Sequence, residues 1–208
     1  MTITERTSLY TLALQTQNFF DYVYWQIINT EAFLHFDDFY ESYKFEIETT
    51  FNYWLNHLKE GKLIKLVPFM AAVKFLLYND RNNNLFGCGY GHSMIYIQTN
   101  GDCFSCSDSV GTKKHFIGNI QTGIKFPDIK LENFRCKNCL YRQICKGRCG
   151  RMHIEFNKKQ VARYCKLNKI IYDLILTNKD EIQNSISTYF YLEEQLKDKF
   201  LNFTEFTS

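Results

Sequence analysis

All eight cysteines of this 208-residue chain lie between positions 88 and 165. Seven of them, with one glycine, follow a spaced register. It runs Cys88, twelve residues, Gly101, four residues, Cys106; then Cys136, Cys139, Cys145 and Cys149 as C-x2-C-x5-C-x3-C; and, after a second gap, Cys165. Cys103 stands outside that register. Thiols this crowded serve as disulfides or as metal ligands, and the redox compartment decides which. The segment Met1-Thr2-Ile3-Thr4-Glu5-Arg6 has neither the basic start nor the apolar run of a secretory leader, so a reducing cytoplasm is expected. Metal ligation is then the expected use of the thiols.

The remaining composition narrows the function classes. Nineteen phenylalanines and fourteen tyrosines against two prolines describe a chain able to bury a core, without a Pro-rich linker or a low-complexity tract. The length suffices for one good core or two small domains. A net charge of +3 is too small to argue for nucleic acid by itself, and no stretch approaches a membrane span. No nucleic-acid or membrane partner is expected.

Patterning predicts an α+β fold in three parts: an α/β segment over 1–80, a cysteine-rich domain over 86–178 and a helical extension over 179–208. Tyr22 to Ile28 is a continuous β-branched and aromatic run of strand length and is expected to be buried. Asp37 or Asp38 then caps a helix whose apolar positions Tyr40, Tyr43, Ile47, Phe51, Trp54 and Leu58 recur at three and four residues, and Gly61 stands where such a helix stops. Leu63 to Val67 reads as a second strand, with Pro68 in the first turn of a helix through about Tyr78. The polar cluster Asp80 to Asn84 marks the boundary. Beyond it, Asn100-Gly101 between apolar segments predicts a hairpin with a type I′ turn, carrying Cys103 and Cys106 at its end. Val161, Tyr164, Cys165, Leu167, Ile171, Leu174 and Ile175 share one helical face, which turns Cys165 toward the core. A final helix is expected from about Asp180 to Phe203.

Eight thiols divide into two sets of four, and four thiolates complete either a tetrahedral zinc site or a 4Fe-4S cluster. Spacing alone does not choose the metal. The pairs Cys103/Cys106 and Cys136/Cys139 suit the two knuckles of a zinc ribbon, an interaction module in which two Zn stand in for a core. Arg135, Lys137, Arg142, Lys146, Arg148 and Arg151 occur in one acid-free segment. A nucleic-acid patch is one reading of them; stabilisation of an anionic iron-sulfur core is the better one. Gly87, Gly89 and Gly91 complete no nucleotide fingerprint. Among the histidines, His35 and His115 carry no local signal, and His57 is expected on the solvated side of its helix. His92 and His153, near cysteines, are candidates to donate hydrogen bonds to a cluster.

The complete register, with its x2, x5, x3 run and the glycine five positions before Cys106, resembles the SPASM domain. That cysteine-rich extension carries auxiliary 4Fe-4S clusters in radical SAM enzymes that modify peptides and proteins. The resemblance covers about residues 86 to 178. It implies a first cluster on Cys88, Cys106 and Cys149, with Cys103 as the candidate fourth ligand because the count then closes. It implies a second on Cys136, Cys139, Cys145 and Cys165. It also implies that residues 1–80 are the end of a partial (β/α) barrel, with Tyr22 to Ile28 as a late strand. The C-x3-C-x2-C motif that holds the S-adenosylmethionine-cleaving cluster is absent, since Cys145-x3-Cys149 is followed by Met152 at the required position. The expected partners are therefore a peptide or protein substrate and a separate radical SAM half or an electron donor. A stand-alone iron-sulfur carrier is the other reading.

Overall fold

The structure is a computed structural model that describes residues 2–3, 8–27, 35–78, 86, 89–91, 94–127, 135–198 and 201. Its elements begin with β1 (Thr2–Ile3), α1 (Leu9–Thr16), β2 (Gln26–Ile27), α2 (Phe36–Lys59) and α3 (Val67–Tyr78). An antiparallel sheet follows in the order β3 (Tyr96–Ile97), β4 (Asp102–Phe104), β5 (Phe116–Asn119) and β6 (Gly123–Ile124). Helices α4 (Arg142–Cys145), α5 (Gly150–Glu155), α6 (Lys158–Thr177), α7 (Lys179–Thr188) and α8 (Tyr191–Leu196) complete the chain. This mixture of helices with an antiparallel sheet is the α+β class expected. Two compact units divide it, Met1–Asp80 with Ala162–Ser208, and Arg81–Val161.

In the first unit β1 pairs in parallel with β2, and Val23 bridges in parallel to Leu66. Parallel neighbours need a long crossover, which α1 supplies between β1 and β2 and α2 supplies between Val23 and Leu66. The run from Tyr22 is buried on one face only: Val23, Trp25 and Ile27 are buried, whereas Tyr22, Tyr24 and Gln26 are half-exposed. Tyr22 keeps its phenol outward, where the hydroxyl donates to Asp198 at 2.5 Å. The segment expected as a second strand contributes only the Leu66 bridge, because α3 already starts at Val67, whose N–H donates to the Val23 carbonyl at 2.9 Å.

The ends of α2 depart from expectation at one side and match it at the other. The helix begins at Phe36 with His35 before it and no side-chain cap, so Asp37 and Asp38 lie in the first turn, where carboxylates favour the helix dipole without capping. At the far end Gly61 has φ 77° and its N–H donates to Leu58, while the Lys62 N–H donates to His57 at 2.8 Å. That pair of bonds is a Schellman cap. Along its inner face, Phe51 and Trp54 join Trp25 around Phe69 of α3, with ring centroids 5.4 to 5.7 Å from Phe69. The single final helix expected is two, α7 and α8, interrupted at Tyr189 and Phe190. The interruption lays Tyr189 and Tyr191 against Gly61, whose carbonyl accepts the Tyr191 hydroxyl.

In the second unit the hairpin forms, but its turn differs. Gly101 N–H donates to Gln98 at 2.9 Å and Gln98 N–H to Asp102 at 2.8 Å, which leaves three residues in the loop. Gly101 has φ 86°, and Asn100 is not among the non-glycine residues with positive φ. The loop is thus a three-residue turn with glycine alone in the left-handed position, not a two-residue type I′ turn. Asn100 instead bonds Asp102 through its side chain, accepting from the backbone N–H at 3.0 Å. Ile97 then faces Cys103, and Cys103 faces Gly118 of a third strand.

Candidate metal centre

Each described cysteine owes its position to a short element. Cys103 lies within β4, fully buried, and its thiol donates to the Gly101 carbonyl at 3.4 Å. Cys106 stands just past that strand, before the turn Ser107–Ser109. Cys136 and Cys139 share one turn, closed by Cys139 N–H to the Cys136 carbonyl at 3.2 Å, as an x2 spacing allows. Cys145 ends α4, Cys149 precedes α5 as its N-cap residue, and Cys165 sits on α6 in the first unit. All but Cys103 are half-buried, and none of the seven is in a disulfide. Cys88 and His92 lie outside the described residues.

Backbone strain is concentrated beside these thiols. Among the described residues three non-glycines have positive φ: Phe86 at 71°, Lys146 at 49° and Arg148 at 60°. Phe86 is two positions before Cys88; Lys146 follows Cys145; Arg148 precedes Cys149. With Gly147 at φ 80°, the whole link between Cys145 and Cys149 is left-handed. Each such non-glycine residue costs about 1–2 kcal/mol, and it persists where the surroundings over-determine it, most often at functional sites. Here the Lys146 carbonyl accepts the Phe86 N–H at 2.8 Å, so the strained segments hold each other.

Electrostatics reinforce the pattern. Arg148 is only 2% exposed, which places a guanidinium inside the cysteine segment. Burial pushes the Tyr90 phenol up to about 12; the nearby Ser105 side chain opposes the rise, and Cys106, Cys149 and Glu155 add to it. Phe86 and Tyr90 form a buried pair, with rings 5.8 Å apart, against which Cys106 and Cys136 both pack. His153 donates from Nε2 to the Gly147 carbonyl at 2.8 Å, so this histidine supports the strained link. Burial, its largest influence, lowers the imidazole below its ordinary value, as Arg148 does, while the bond to Gly147 raises it.

Cys106 and Cys136 thus pack on one aromatic pair, and Cys149 precedes Gly150, which is seated on the Tyr90 ring. Among the described residues no three His, Cys, Asp or Glu side chains gather as a group able to hold a metal ion. Thiols at these spacings fit thiophilic metals by donor type, and of the implied first set Cys106 packs against the Phe86–Tyr90 pair while Cys149 precedes the glycine seated on Tyr90. Compared with known protein families, with curated proteins and with solved structures, the chain matches none. Among the described residues no helix is long and apolar enough to cross a membrane.

Two further features were not foreseen. His115, Tyr90 and Glu155 form a buried chain of hydrogen bonds described below; their separations of 25 and 40 residues leave no local signal. His57, expected in solvent, is half-buried, its Nδ1 bonded to the Tyr53 carbonyl at 2.9 Å. It lines a groove of about 410 Å³ with Gln17, Asp21, Tyr53, Lys62 and Lys65. That groove lies where the parallel strands begin, and α/β folds place their ligands at the other end.

Proposed function

We propose that this chain binds two 4Fe-4S clusters as the auxiliary-cluster portion of a radical SAM/SPASM peptide or protein maturase, relaying electrons and helping to position a peptide substrate. The observation that carries the proposal is that, among the described residues, non-glycine positive φ is confined to Phe86, Lys146 and Arg148, each within two positions of a register cysteine. A fold tolerates that cost where side chains must be held in a set geometry. Cys88, Cys106 and Cys149, with Cys103, would hold the first cluster; Cys136, Cys139, Cys145 and Cys165 would hold the second. A bound cluster supplies one-electron transfer. The chain's own residues supply the thiolates, the buried Arg148 charge that offsets them, and the rigid link between Cys145 and Cys149.

The parallel pairing across α2 supports reading residues 1–80 as the end of a partial (β/α) barrel. Cleavage of S-adenosylmethionine then belongs to a partner that carries C-x3-C-x2-C. Protein purified without oxygen is expected to be brown, to bleach on reduction with dithionite, and to form no 5′-deoxyadenosine when supplied with S-adenosylmethionine alone. Colourless protein supports the zinc ribbon instead, and 5′-deoxyadenosine from the isolated chain overturns the division of labour.

A further inference from the structure

Three thiol-bearing segments meet on His115, which ends the turn Lys113–His115 and is 1% exposed. Its carbonyl accepts the Ser105 N–H at 3.0 Å and the Ser105 hydroxyl at 3.3 Å, which fixes the residue just before Cys106. Its ring reaches the other two segments. Nδ1 is 2.5 Å from the Tyr90 hydroxyl, and Nε2 is 2.8 Å from Glu155 Oε1. A phenol has one hydrogen to give and a carboxylate only accepts, so the tautomer that satisfies both neighbours carries its hydrogen on Nε2.

Glu155 lies on α5, the helix that starts directly after Cys149. Its second oxygen accepts Arg151 Nε at 2.6 Å, and Arg151 Nη1 lies 3.8 Å from Asp108, two residues past Cys106. Cys106 is therefore tied on both flanks to the helix that Cys149 precedes. The start of α5 is seated on Tyr90: a Cβ built on Gly150 would fall 2.1 Å from Tyr90 Cδ1. Cys106 packs against the same tyrosine. Cys106 and the residue that follows Cys149 thus share the Phe86–Tyr90 pair, and His115 holds Tyr90 at its hydroxyl end.

We propose that His115 is the positioning residue that sets the separation of Cys106 and Cys149, clamping the end of β4, the Tyr90 loop and α5 into one unit. The inference rests on the proposed function only for what the two thiols hold. Loss of the imidazole leaves a buried hydroxyl and a carboxylate without their partner, and the three segments lose their common tie.

The test is iodoacetamide labelling of the full chain as isolated without oxygen, read cysteine by cysteine by mass spectrometry, beside iron and zinc analysis. His115→Ala and Glu155→Ala are expected to speed labelling of Cys106 and Cys149 about 5–100-fold, the change in a local opening equilibrium when a buried polar group loses its partner. Cys139, in its own turn, and Cys165, on α6, keep the wild-type rate. Glu155→Gln keeps an acceptor for Nε2 but loses the one for Arg151, and its labelling rate is expected between those of wild type and Glu155→Ala. If His115→Ala does not fold, Tyr90→Phe, which deletes one hydroxyl, carries the same comparison. Unchanged labelling of Cys106 and Cys149, or equal acceleration at every cysteine, overturns the proposal. Absence of iron from the wild-type protein would defeat the cluster reading while the labelling contrast still decides the role of His115.

Discussion

Gly150 has no room for a side chain, because the position a Cβ would take is occupied by the Tyr90 ring. Gly150→Ala must therefore move the ring or the start of α5, at a cost of about 1–3 kcal/mol for an overpacked site. Urea denaturation is expected to show that loss together with faster alkylation of Cys149, and a variant as stable as wild type would contradict the contact. His153 makes a pH prediction with a definite sign. Its folded-state imidazole titrates below the ordinary value, chiefly through burial, so the unfolded chain takes up the proton first. Stability is full above about 6.5, declines as pH falls below it, and stops declining once the folded state also protonates. His153→Gln, which retains a donor for the Gly147 carbonyl, should lose less stability than wild type over that acid window. Parallel pH profiles for the two proteins would contradict it.

At the scale of elements, Gly61 carries both the cap of α2 and the contact with Tyr189 and Tyr191. With φ at 77°, Gly61→Ala is expected to cost about 1–2 kcal/mol from the left-handed backbone alone, read as a lower urea midpoint. This helix stop was legible because glycine after an apolar periodic run has a single physical meaning. The hairpin was legible for the same reason, but its turn type was not, since Asn-Gly serves a two-residue loop and also the last positions of a three-residue one. The sheet's third and fourth strands, Phe116–Asn119 and Gly123–Ile124, escaped notice because they are four and two residues long and leave too little alternation to register. The strained link from Lys146 to Arg148 separates Cys145 at the end of α4 from Cys149 at the start of α5. If those thiols serve different clusters, Cys149→Ala and Cys145→Ala should alter different signals in the electron paramagnetic resonance spectrum of reduced protein. Loss of the same signal in both would place them on one site.

Over the whole molecule, what the sequence made readable was chemistry held by close neighbours in the chain: the thiol register, the x2 turn at Cys136 and Cys139, the crossover of α2. What it hid was chemistry assembled across distance. His115 gathers Tyr90, Ser105 and Glu155 from three elements, and no periodicity or spacing marks such a meeting. The two compact units also divide the implied second ligand set, with Cys136, Cys139 and Cys145 in one and Cys165 in the other. Metal occupancy is accordingly the property on which the account turns. Quantitative iron, acid-labile sulfide and zinc analysis of protein isolated without oxygen measures it directly. Two cuboidal clusters predict about eight irons and about eight sulfides per chain with no zinc; two zinc ions per chain without sulfide would contradict the account.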